Sequence, residues 1–225
     1  MKVLIVGNQG DSDPGLVGAR LLDLDFKLAF SMREFPREWK SIAGIDLLLL
    51  LGSEWSVYSE HNGKEVAAEV DLVRTAMKRG VPIFAICFGA QVISRALGGS
   101  VARAPEPEVG WRAVSSAFSP ELLQHSWLQW HYDIFNVPAS LQTVASNEVG
   151  PQAMLGRRVF ATQFHPEATT EIIKRWSSGK GVDELHSQGI DPKSFVESSR
   201  DCVARQAPVT ARLVDWFLTA VSTDN

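Results

Sequence analysis

Cys87 is the one strong nucleophile whose surroundings in the sequence suit covalent chemistry. It lies in Val81-Pro82-Ile83-Phe84-Ala85-Ile86-Cys87-Phe88-Gly89-Ala90-Gln91, between an apolar run and an apparent helix through Val92, Ile93 and Leu97. A nucleophile on a sharp strand-to-helix turn stands exposed at the carboxyl edge of a sheet, with small residues nearby to relieve crowding, and Gly89 suits that turn. The helix that follows would point its positive end at the sulfur and favour the thiolate. Position alone leaves a second reading open, in which Cys87 is a small buried apolar residue.

A cysteine nucleophile needs a base within hydrogen-bond reach and often a third group that fixes the tautomer of the base. Five histidines compete: His61, His125, His131, His165 and His186. His165 stands apart because Val159 to Phe164 reads as a strand that ends in His165-Pro166-Glu167. Residues two apart in an extended segment point the same way, so the Glu167 carboxylate can reach the imidazole. A bare His-Pro-Glu also suits an ordinary surface loop, and it gains meaning only beside Cys87. His131 has two readings of equal standing, a satisfied half-buried histidine or a member of the site.

The elements that must position these groups follow from hydrophobic patterning. Lys2 to Val6, Asp46 to Leu51 and Val81 to Ile86 are apolar runs without alternation, the pattern of strands covered on both faces. Asp13-Pro14 is placed to cap and open a helix after the first strand. Val66, Val70, Val73 and Met77 share one stripe of a helix over 63–79. Strands alternating with helices predict an α/β fold of three layers, with a mostly parallel central sheet flanked by helices. After residue 100 come shorter pieces, at 111–114, 141–145 and 158–164, which read as mixed, partly antiparallel strands. From Thr169 onward the chain reads as helices broken at Gly179-Lys180-Gly181 and Gly189-Ile190-Asp191-Pro192. No linker or repeat marks a boundary, so residues 1–225 are expected to form a single domain, with about 169–225 as its helical C-terminal extension.

Ile86-Cys87-Phe88-Gly89-Ala90-Gln91 resembles the nucleophile motif of class I (triad-type) glutamine amidotransferases, and Phe164-His165-Pro166-Glu167 resembles that family's closing motif, in the same order. Gly52-Ser53-Glu54-Trp55-Ser56-Val57-Tyr58 resembles the loop before the nucleophile. Val109-Gly110-Trp111 and Trp130-His131-Tyr132-Asp133 resemble segments of the GMP-synthase-like branch, as does the tail from Glu171 to Phe217. The likeness covers nearly the whole chain and implies a standalone domain with the flavodoxin-like fold of that family.

The resemblance implies that Cys87 attacks the glutamine side-chain carbonyl, His165 protonates the leaving ammonia, Glu167 orients His165, and water resolves a γ-glutamyl thioester. It assigns the oxyanion donors to the backbone amides of Ser53 and Phe88. It places Gly52, Gln91, Tyr132 and Asp133 around the substrate. One departure stands out: the family's loop usually carries Gly-Gly-Pro, whereas this chain has Gly52-Ser53-Glu54. Glycine adopts backbone angles that are costly for other residues, so the change bears on how Ser53 presents its amide and on basal activity. Glu54 and Trp55 read first as an exposed rim and a packed indole, and Trp127, Trp176 and Trp216 as core or helix-packing residues.

Composition narrows the partners. Twenty-two Lys and Arg against 26 Asp and Glu give a formal charge of -4, without the cationic stripe that nucleic-acid binding requires. The two cysteines, Cys87 and Cys202, are weak evidence for a disulfide in a chain of 225 residues, and a reducing cytoplasm fits better. The run Val3 to Val6 stops at Gly7, short of a signal core or a membrane span. The scattered histidines suggest no metal, and no cofactor is expected. Without a Gly-x-x-x-x-Gly-Lys-Ser/Thr motif the leading expectation is a glutaminase that passes ammonia to a synthetase partner. A γ-glutamyl peptidase or hydrolase acting without a partner is the alternative. A catalytically silent interaction module ranks third, because all three triad positions carry competent residues.

Overall fold

Val3 to Val6 are four consecutive aliphatic side chains with no exposure to solvent, and they form the inner part of β1 (Lys2–Gly7). In the computed structural model, which describes residues 1–222, the chain continues with α1 (Gly15–Asp23), β2 (Lys27–Met32), β3 (Leu47–Leu50), α2 (Gly63–Lys78), β4 (Ile83–Ile86) and α3 (Phe88–Ala96). There follow β5 (Val101–Ala113), α4 (Pro120–Leu123), β6 (Ser126–Phe135), β7 (Gln142–Ser146), β8 (Pro151–Gly156) and β9 (Val159–Thr162). The C-terminal part is α5 (Thr170–Trp176), α6 (Lys180–Ser187) and α7 (Pro192–Ser222). Residues 223–225, the end of the expected C-terminal extension, lie outside the described residues.

Seven strands form one sheet in the order β2-β1-β3-β4-β9-β8-β7. The pairs from β2 through β9 are parallel, and β8 and β7 join antiparallel at the edge. Successive side chains of a strand face opposite sides. Val3, Ile5, Leu47, Leu49, Phe84 and Ile86 therefore meet Val17, Leu21, Leu213 and Phe217 of α1 and α7 on one face. Leu4, Val6, Leu48, Leu50, Ile83 and Ala85 meet Val66, Val70, Val73, Val92 and Ile93 of α2 and α3 on the other. Each Val, Leu, Ile or Phe among them, removed from water, contributes roughly 1.5–3 kcal/mol. The result is the three-layer α/β architecture expected from the apolar runs.

The segments after residue 100 divide between two structures. The expected strands at 141–145 and 158–164 join the main sheet as β7 and β9, and their pairing is mixed as expected: β9 runs parallel to β4 and antiparallel to β8, which in turn pairs antiparallel with β7. Residues 111–113 instead end the long β5, which pairs with β6 in a separate antiparallel ribbon. That ribbon packs Val109 and Leu128 against Ile173, Leu185 and Phe195 of the C-terminal helices. Helix α1 begins at Gly15, one residue later than a helix opened by Pro14, with Asp13 Oδ1 accepting the Gly15 amide at 2.9 Å. Among the described residues no helix is long and apolar enough to cross a membrane.

Candidate active site

Cys87 sits between β4 and α3 with φ 50° and ψ −107°. A non-glycine residue in that region costs on the order of 1–3 kcal/mol and persists only where its surroundings fix it. Here the Cys87 amide donates to Thr162 O on β9 at 2.7 Å, and Cys87 O accepts from the Gln91 amide at 3.1 Å. Gly89 is required by close approach: a Cβ there would lie 2.6 Å from Leu50 O and 2.7 Å from Leu50 Cβ. The side chain of Cys87 is thereby lifted from the end of β4 to the start of α3, whose first amides have no partner within the helix.

His165 and Glu167 follow β9, the strand beside β4, so the sheet brings to one edge residues that are 78 positions apart in the chain. Imidazole Nδ1 meets Glu167 Oε1 at 2.7 Å, and both residues are 3% exposed. Nε2 of His165 is buried without a hydrogen-bond partner among the described residues, while the Cys87 sulfur lies close enough to act on the ring. Burial opposes a charge on His165, but the Glu167 carboxylate and the Cys87 sulfur outweigh it and raise the imidazole well above its ordinary value. The loop is pinned from three sides. The His165 amide donates to Leu128 O on β6 at 2.9 Å, Gln206 Nε2 of α7 donates to His165 O at 3.1 Å, and Thr210 Oγ1 donates to Pro166 O at 2.9 Å. The Leu16 amide, at the start of α1, donates to Glu167 O at 2.9 Å.

The loop after β3 passes over this pair. A side chain at position 52 would lie 3.1 Å from His165 Cε1 and 3.6 Å from Cys87 Cβ, so Gly52 leaves the space a ligand would use. Ser53 is not among the residues with positive φ, and its Oγ accepts the Trp55 amide at 3.1 Å. The loop thus holds its course without a second glycine. Asp133, at the far wall, accepts from Ser56 Oγ and Tyr58 Oη at 2.7 Å each. All the expected site residues except Phe88 line one cavity of about 550 Å³. The Phe88 ring turns away and lies under the Arg33 guanidinium, 4.5 Å from centroid to Cζ.

The remaining polar groups divide between wall and support. His131 is a supported wall residue: Nδ1 approaches Asp133 O and Nε2 approaches Glu108 Oε2, each at 3.1 Å. Burial works against the Glu108 charge, but His131, Asn147 and Gln152 more than offset it and hold the carboxyl below its usual value. Glu54 is on the exposed rim, 3.3 Å from Lys180 Nζ, and the half-buried Trp55 packs against the apolar cluster that includes Val57 and Val66. The sequence pattern did not single out Gln163, whose Nε2 lies 3.5 Å from Cys87 Sγ and whose Oε1 lies 3.5 Å from Gln91 Nε2. It also assigned Trp176 to packing alone, yet its ring stands edge-on to His165 at 4.7 Å and its Nε1 donates to Asp11 at 2.6 Å. Only the place of Gln163, two residues before His165, was a signal. Among the described residues no cluster of His, Cys, Asp and Glu is arranged to hold a metal ion.

A thiol at a helix N-terminus, an imidazole beside it and a carboxylate behind can together carry acyl transfer. Comparisons with known proteins give the family. A GMP synthase [glutamine-hydrolyzing] from Bacteroides fragilis is 27% identical over 216 residues, which cover 87% of this chain and 39% of that protein. The chain therefore spans about two fifths of the length of that curated relative. Another GMP synthase, from Aeropyrum pernix, is 31% identical over 183 residues, 75% of this chain and 34% of its own length. A glutamine amidotransferase from Thermotoga maritima superposes with a TM-score of 0.86 at 23% identity, covering 96% of this chain and 97% of its own, and so shares the fold. The family model for glutamine amidotransferase class-I matches residues 20–175, and the chain belongs to that family, in its GMP-synthase-like branch.

Proposed function

We propose that this chain hydrolyses the side-chain amide of L-glutamine through a Cys87-His165-Glu167 triad. The observation that carries the reading is the strained backbone of Cys87 beside a His165–Glu167 pair joined at 2.7 Å. Cys87 Sγ passes its proton to His165 and adds to the amide carbon, and the resulting oxyanion is met by the amides of Ser53 and Phe88. His165 gives its proton to the departing nitrogen and ammonia leaves, so that a γ-glutamyl thioester remains. Water, deprotonated by His165, then adds to the thioester carbon and releases glutamate and the thiol. Gln91, Tyr132 and Asp133 hold the glutamyl group, and a synthetase partner would consume the ammonia.

A cavity of about 550 Å³ that reaches Glu54, Trp55, Lys180 and Glu184 leaves room beyond the glutamine amide and favours a second reading, a γ-glutamyl hydrolase whose leaving group is a larger amine. The test measures glutamate release from glutamine and from γ-glutamyl peptides, with Cys87→Ala as the blank. Glutamine turnover that vanishes in Cys87→Ala supports the first reading, and peptide cleavage with little glutamine turnover supports the second. No Cys87-dependent release from either substrate overturns both.

A further inference from the structure

Arg33 follows β2, is fully buried, and has no part in the reaction as written. All five of its N–H donors are engaged. Nε and Nη2 grip the Glu69 carboxylate at 2.7 and 3.2 Å. Nη1 donates to Asn8 Oδ1 at 2.6 Å and to Gly52 O at 3.1 Å, and Nη2 donates to Leu51 O at 3.0 Å. The face of the guanidinium covers the Phe88 ring. A planar five-donor fork of this kind fixes the directions of its acceptors as well as their positions.

Those acceptors include the carbonyl of the peptide that joins Gly52 to Ser53. In a trans peptide the C=O and N–H point in opposite directions, so pinning Gly52 O against Arg33 turns the Ser53 N–H to the side away from the guanidinium. A cation on that carbonyl also polarises the peptide and strengthens the N–H as a donor. We infer that Arg33, held by Glu69, is a positioning residue for the oxyanion site: it aims and polarises the Ser53 amide and braces Phe88, which carries the second amide. The inference rests on the reading of the site given above. It explains how a loop reading Gly52-Ser53-Glu54 keeps its direction without a left-handed residue at position 53.

The test compares wild type with Arg33→Lys, which keeps a charge for Glu69 but cannot span both carbonyls, and with the double variant Arg33→Met/Glu69→Met, which removes the buried charges together. Three quantities are measured: kcat and KM on whichever γ-glutamyl substrate the wild type turns over, the rate of Cys87 alkylation by iodoacetamide, and cooperative thermal unfolding. Alkylation displaces iodide and forms no oxyanion, so it reports the thiol without the oxyanion site. Both variants are expected to unfold cooperatively and to lose on the order of 100-fold in kcat, with KM within about threefold and alkylation within about twofold of wild type. A folded variant with wild-type kcat overturns the inference. So does a kcat loss matched by an equal loss of alkylation, or the loss of cooperative unfolding in both variants, since each marks Arg33 as a structural staple. A wild type without Cys87-dependent turnover is a different result, which overturns the reading of the site and the inference with it.

Discussion

Glu167→Gln separates the charge of the orienting group from its shape. The carboxylate lies 2.7 Å from His165 Nδ1, and both partners are nearly sealed from water. Two unit charges about 4 Å apart at an effective dielectric near 20 attract by about 4 kcal/mol. The reaction forms an imidazolium next to Glu167, so this attraction lowers the barrier, and each ~1.36 kcal/mol is a factor of ten in rate. Its loss predicts a fall of up to about 10³ in kcat. A glutamine that turned its NH2 toward Nδ1 would further force the proton onto Nε2 and remove the base that faces Cys87. The assay is steady-state glutamate release, with a denaturation curve to show that the variant is folded. A folded Glu167→Gln protein within about fivefold of wild-type kcat would refute the triad reasoning, because neither the charge nor the tautomer could then matter.

Two further outcomes are expected. An NMR titration of His165 should give a midpoint above about 6.5, the ordinary histidine value, because Glu167 and Cys87 outweigh the effect of burial; Glu167→Gln should move it down. Because the folded value is raised, the stability contributed by His165 is complete below about pH 6.5 and is lost as pH rises through the raised value. The stability gap between wild type and Glu167→Gln should narrow on that rise, and a gap that widened would contradict the assignment. Thr210→Val keeps the shape of the side chain but leaves Pro166 O without the 2.9 Å hydrogen bond from α7. A cost of about 1–3 kcal/mol in urea unfolding is expected, together with reduced turnover as the His165 loop loosens; unchanged values for both would show that the Thr210 hydrogen bond does not hold the loop.

The sequence alone determined the local pieces. Unbroken apolar runs at 3–6, 47–51 and 83–86 can be buried only from both sides, which dictates a covered parallel sheet. A cysteine at the end of one run followed by Gly89 specifies a strand-to-helix turn whatever surrounds it. His165 and Glu167, two apart in an extended segment, must point the same way. These features repeat at short range, and short-range geometry is readable from residue spacing. What joins them is long-range and has no period. That β9 pairs beside β4, and so brings His165 to Cys87, follows from strand order, which residue spacing does not encode. The separation of β5 and β6 into their own ribbon was likewise invisible, because a strand of either sheet has the same pattern. Arg33 and Glu69 left no signal at all. A charged residue in sequence reads as solvent-facing, and only the folded chain, by closing five acceptor contacts around one guanidinium, makes its burial tolerable and sets it behind the loop that carries Ser53.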